Sequence, residues 1–168
     1  MPILPFRASS TKLVYMKQVL RLSLVGFLFL ASCSWGNGAI KKRAILEAQS
    51  QFREVITKEA EAAIENNWLR EGFVDYVEKH SEFDVEDLKV FGDNNAVALV
   101  SLKSIDPNQR KILAEIAGKV EKDKVRNFNF SNALRLISQQ TGMSRENVKL
   151  PSYEIQLKKG NGDWTIVK

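Results

Sequence analysis

The chain of 168 residues contains one cysteine, one histidine and four prolines. A single cysteine excludes an internal disulfide framework, and a single histidine excludes a Cys/His zinc cluster. Acidic residues are missing from positions 1–32, where the only charges are Arg7, Lys12, Lys17 and Arg21. There is no internal repeat and no low-complexity stretch. With 44% hydrophobic and 27% charged residues, the composition is that of a globular chain, not a disordered or collagen-like one, and the length suits one domain.

The acid-free start leads into an apolar run, Leu22 to Leu30, interrupted only by Ser23 and Gly26. A basic start followed by roughly 7–15 apolar residues reads as a secretory signal, too short to span a bilayer. Its removal leaves 21 basic against 20 acidic residues, so the excess of positive charge belongs mostly to the discarded peptide. A nucleic-acid-binding reading loses its support with it.

The run closes on Leu30-Ala31-Ser32-Cys33, which resembles the bacterial lipobox. The resemblance implies a diacylglyceryl group on the Cys33 sulfur, cleavage between Ser32 and Cys33, and commonly acylation of the new amino group. Cysteine suits that chemistry because its thiolate is a strong nucleophile, and several acyl chains anchor more firmly than one. Met16-Lys17-Gln18 begins a signal of more ordinary length, so Met16 is an alternative start. Residue 34 is Ser rather than the Asp that favours inner-membrane retention in enteric bacteria. The expected location is thus the outer membrane, facing the periplasm. Residues 34–38 read as a short tether reaching about 20 Å if extended. Trp35 suits the headgroup level or caps the core of the fold.

Residues 39–168 are expected to form one α+β domain. Ile45, Ala48, Phe52, Val55, Ile56, Ala63 and Ile64 recur at helical spacing from Ala39 to about Asn66. A second helix runs from Trp68 to Lys79 with Leu69, Phe73, Val74 and Val77 as its apolar side. Leu88–Leu102 reads as a hairpin around Gly92-Asp93-Asn94-Asn95. Asp106-Pro107 reads as the start of a helix, with Ile112, Leu113, Ile116 and Val120 as its stripe and Lys111, Glu115, Lys119 and Lys122 facing water. Ser131–Gln140 is a further helix, stopped by Thr141-Gly142, and Pro151 opens a closing hairpin that returns through Trp164. Helices and strands that do not alternate one by one indicate an antiparallel sheet. The expected architecture is N-terminal helices packed on a curved antiparallel sheet of two hairpins, with a helical insertion, 107–149, between them.

The helix pair, the first hairpin and above all the ending from Tyr153 to Val167 resemble a nuclear-transport-factor-2-like domain of the cystatin-like cone type, found in many small bacterial lipoproteins. The longer stretch from Pro107 to Leu150 departs from the pattern. The resemblance implies a cone-shaped cavity that in some members is an isomerase, dehydratase or cyclase site, while other members bind small molecules or act as dimeric scaffolds. Fold alone does not choose among these.

His80 is the only imidazole of the chain and the one obvious candidate base, four residues from Tyr76 and close in sequence to Asp75 and Asp84. Yet Lys79-His80-Ser81-Glu82 has the composition of a helix end, where a basic residue complements terminal carbonyls. Asp84, Glu86 and Asp87 lack the spacing and glycine of a calcium loop and read as a solvated turn. Asn129-Phe130-Ser131 matches a glycosylation sequon that a bacterial lipoprotein does not use. Charge is uneven: residues 33–106 carry 9 basic and 14 acidic side chains, and residues 107–149 carry 9 and 4. Arg110, Lys111, Lys119, Lys122, Lys124 and Arg126, followed by Phe128 and Phe130, therefore form a candidate docking surface for headgroups, glycans or an acidic partner. The competing reading packs this segment against the acidic half of its own domain.

The sequence thus points to a lipid-anchored envelope protein that is not an enzyme and needs no metal or cofactor. Its expected role is binding a small apolar ligand in the cone. The alternative is an envelope scaffold docking through residues 107–149, with a homodimer as one form, and a cone enzyme using His80 ranks last.

Overall fold

A computed structural model describes the backbone of residues 11–167 and the side chains of residues 37–167. The lipobox side chains Leu30 to Cys33, with Ser32 at the cleavage position, and Trp35 lie outside the described side chains. Packing divides the chain into Met1–Ala39 and Ile40–Lys168. Among the described residues no helix is long and apolar enough to cross a membrane.

The elements follow as α1 (Thr11–Ala63), α2 (Asn67–Lys79), β1 (Glu82–Phe91), β2 (Asn95–Ser104), α3 (Pro107–Gly118), a 3-10 turn (Val125–Asn127), α4 (Phe130–Thr141), β3 (Val148–Gly160) and β4 (Asp163–Ile166). The chain is α+β, with a four-stranded antiparallel sheet in the order β1-β2-β3-β4. Residues 34–38, read from the sequence as a short tether, lie within the span of α1. α1 ends at Ala63 because Asn66 starts the next helix: its side-chain oxygen accepts from the Leu69 N–H at 3.1 Å. Asp106 does the same for α3, accepting from Asn108 and Gln109 N–H with Pro107 in the first turn. Asn129 caps α4 by accepting from Asn132 N–H at 2.9 Å, so the sequon asparagine is a helix cap. Gly142 ends α4 in the left-handed region, at φ 70°.

Alternation fixes the sheet's two faces. Ala96, Ala98, Val100 and Leu102 of β2 are buried, as are Ile155 and Leu157 of β3. Ala96 and Ala98 lie opposite Leu157 and Ile155. β2 and β3 therefore bury the same face. Asn161 and Gly162 both have positive φ, at 49° and 94°, which is the two-residue hairpin turn that matches strand twist. The first hairpin closes through Gly92, at φ 60°. Both tips lie at one end of the sheet, joined by the Lys159 N–H donating to the Asn94 carbonyl at 2.8 Å.

β3 starts at Val148, three residues before the expected opening at Pro151. Register slips between Val100 and Leu102, where Tyr153 and Leu150 are their β3 partners. The bulge therefore holds Pro151, which removes no ladder hydrogen bond there. A second bulge, between Val85 and Asp87 of β1, lies on the other side of Val100.

The interior has two apolar clusters. Ile40, Ala44 and Ala48 of α1 pack with Ala96, Ala98, Val100, Ile155 and Leu157 of the sheet. Phe52, Ile56 and Ala60 pack with Leu69, Phe73 and Val77 of α2, Leu113 and Ala117 of α3, and Leu134 and Ile137 of α4. α3 differs from its expected stripe. Its buried residues are Gln109, Arg110, Leu113, Ala114 and Ala117, while Ile116 is exposed.

Candidate functional site

The sheet face facing the helices is occupied. Ala44, Ala48 and Ala98 are fully buried, and their small side chains let α1 lie close to the strands. A groove of about 680 Å³ lies elsewhere, between the end of α1 and α3. Ala62, Ala63, Pro107, Ala114 and Gly118 give it an apolar floor, and Glu59, Lys111, Glu115 and Lys119 give it charged walls. Its depth is set by a close crossing. A Cβ at Gly118 would stand 2.0 Å from the Ala63 carbonyl oxygen, so only glycine lets the two helix ends meet this way.

One wall is pinned by a salt bridge that the sequence reading missed. Arg110 donates from Nε and Nη2 to the two Glu59 carboxylate oxygens at 2.6 and 2.7 Å. Its side chain is 4% exposed, whereas Glu59 is 35% exposed. The guanidinium stands 5.5 Å over the Phe52 ring, and Nη1 is buried without a partner among the described residues. Arg110 therefore belongs to the interior and not to the docking surface assigned to it. Nothing in local sequence signals a pair 51 residues apart.

The other basic residues of the segment are solvent-facing: Lys111, Lys119, Lys122, Lys124 and Arg126 are all exposed. Lys111 and Lys119 line the groove, and Lys124 donates to Glu121 at 2.5 Å. Phe128 and Phe130 do not form an exposed patch. Phe130 meets Phe128 edge-on at 4.9 Å and stacks on Tyr76 at 5.6 Å, and it reaches Phe73 at 6.2 Å. The absent side chain of Gly72 admits the ring, since a Cβ there would lie 3.1 Å from Phe130 Cε2. These aromatics dock the start of α4 onto α2.

His80 ends the same run. Its ring lies 4.3 Å from Tyr76, and Nδ1 is 2.7 Å from the Tyr76 carbonyl oxygen. A carbonyl only accepts, so Nδ1 carries the proton that it donates. His80 also holds the following loop, because Asn147 Nδ2 donates to its carbonyl at 2.8 Å. Burial raises the Tyr76 pKa, opposed by a hydrogen bond with Ser131 and the charge of Arg145. Asp75 pairs instead with Arg53 at 3.7 Å, which also bonds Glu78.

Two acidic residues of β1 have separate partners. Glu86, in the bulge, accepts from Lys149 of β3 at 2.5 Å, and Asp87 pairs with Lys89 at 3.3 Å. Among the described residues no three His, Cys, Asp or Glu side chains converge in a metal-binding group. Comparison with protein-family models, with curated proteins and with solved structures matches nothing to this chain.

Proposed function

We propose that this chain is a lipid-anchored envelope lipoprotein whose α+β domain is a non-catalytic binding module, with the α1–α3 groove as its ligand site. The groove carries the reading: an apolar floor meets Lys111 and Lys119 in a space of about 680 Å³, the size range of small-molecule sites. Such a lining suits an amphiphile with an apolar body and an anionic group. The filled sheet face supports moving the site out of a cone and onto the helices. The two bulges flanking Val100 support a curved sheet, since bulges bend the strands that carry them. The α3–α4 region between the hairpins fits an insertion into a cone-type fold, and the groove then belongs to that insertion. The engagement of His80 with the carbonyl of Tyr76 supports a structural role for it.

Native mass spectrometry of the protein purified gently from the bacterial envelope tests the reading. Added mass should be present in the parent, lost in Ala62→Trp, which fills the groove from an exposed position, and reduced in Lys111→Glu/Lys119→Glu. A bound mass unchanged in both variants defeats the groove assignment. A parent without any bound small molecule, but with a copurifying protein that Lys119→Glu/Lys122→Glu/Lys124→Glu releases, replaces it with the docking role.

A further inference from the structure

The end of the domain where the chain enters from Cys33 has a chemistry of its own. Ile40 shares an apolar cluster with Ala96 and Leu157, the residues next to the two hairpin tips, and Phe52, twelve residues later, meets Phe83 at the opposite end of β1. From there α1 runs away from the tips, and at about 1.5 Å per residue Ala63 lies roughly 35 Å off. Lys41, Lys42 and Arg43 on the helix and Lys158 and Lys159 on β3 therefore gather at one end, all exposed. None of the five is in an ion pair among the described residues. The acids at this end are Asp93 in the first turn, Asp163 at the start of β4 and Glu47 one helical turn after Arg43, while Asp87 is engaged by Lys89. Cations thus outnumber acids five to three. Among them Phe91 is 54% exposed and Val90 is 45% exposed, at the last two positions of β1.

We propose that this hairpin-tip end is a membrane-contact surface, in which the five cations meet anionic lipid headgroups and Phe91 enters the headgroup layer. Charge complementarity identifies the occupant: basic clusters beside an anchor are drawn to anionic leaflets, and aromatic rings favour the interface. The chain's own course adds the geometry, because Cys33 precedes Ile40 by only seven residues. This proposal rests on the anchored reading given above. It holds the domain in one orientation, with the α1–α3 groove at the end turned away from the bilayer.

Hydrogen exchange of the full-length lipoprotein, read by mass spectrometry, tests it on two kinds of vesicle. One contains phosphatidylethanolamine and phosphatidylglycerol at 7:3, and the other phosphatidylcholine alone. Peptides covering both turns should exchange at least fivefold more slowly on the anionic vesicles, and added salt should erase the difference. Lys42→Glu/Arg43→Glu/Lys159→Glu should abolish the protection, and Lys122→Glu/Lys124→Glu should leave it intact. Protein that carries acyl mass on Cys33 and stays on the vesicles, yet shows equal exchange on both, overturns the surface and spares the anchor. Protein without acyl mass that floats free of both vesicles overturns the anchor, and this proposal with it.

Discussion

Arg110 is the residue on which the interior's electrostatics turn. A guanidinium that is almost wholly buried needs its partner more than a surface cation does, because the desolvation is already incurred. Glu59→Gln should therefore destabilise the fold by about 3 kcal/mol, moderated by the partial exposure of Glu59. Arg110→Met should cost less, since it removes the charge and fills similar volume. Adding Arg110→Met to Glu59→Gln should recover much of the loss in urea unfolding, and purely additive losses would show that the pair is not coupled. Tyr153 lies within reach of the same guanidinium: burial raises its pKa and the Arg110 charge opposes the rise. With Tyr76 also raised, both phenols keep their protons longer in the folded chain than in the unfolded one. Their contribution is then complete below about pH 10, and stability falls as pH rises beyond it. Tyr76→Phe/Tyr153→Phe should make that decline shallower, read as the unfolding midpoint at several pH values above 9.

At the scale of the element, α1 departs most from a simple amphipathic helix. Its buried positions are Ala44, Ala48, Phe52, Ile56 and Ala60, preceded by Ile40 and continued by Ile64, a spacing of four. At about 100° per residue, each step overshoots a full turn by roughly 40°. The buried line therefore winds around the helix, facing the sheet at Ile40–Ala48 and the other helices from Phe52 onward. A 3.6-residue template averages such a line away. This is why Val55 looked like core in the sequence yet is 45% exposed, and why Ala44 and Ala60 went unnoticed. The elements themselves were legible where local chemistry decides them: caps at Asp106-Pro107, the stop at Gly142, alternation at Tyr153–Leu157. The groove was not, because it depends on Gly118 meeting the Ala63 carbonyl, a contact between distant segments. Gly118→Ala should push the end of α3 away from α1, costing about 2 kcal/mol. It should also loosen any groove-bound ligand, whereas an unchanged urea midpoint would mean that the helix ends yield freely.

For the molecule as a whole, the uneven charge along the chain is partly satisfied within the fold and partly kept at its surface. Arg110 of the basic segment pairs with Glu59 of the acidic half, and Lys149 crosses the sheet to Glu86. Lys111, Lys119, Lys122 and Arg126 remain outside those pairs. Sequence composition announces such an imbalance without saying which cations are internal, because that depends on which side of α3 faces in. Polar groups tie the layers together as well. Gln109 donates to Ser138 of α4 at 3.1 Å and to the Ser144 carbonyl at 3.0 Å, and Ser81 and Ser104 share a hydrogen bond of 2.8 Å between the end of α2 and β2. The winding line on α1 has a last consequence for how the domain comes apart. One helix is the spine of both apolar clusters, so neither can melt while the other stays ordered unless that helix breaks in its middle, between Ala48 and Phe52. The domain is thus built to unfold in a single cooperative event, with α1 as the element that transmits the loss of either half to the other.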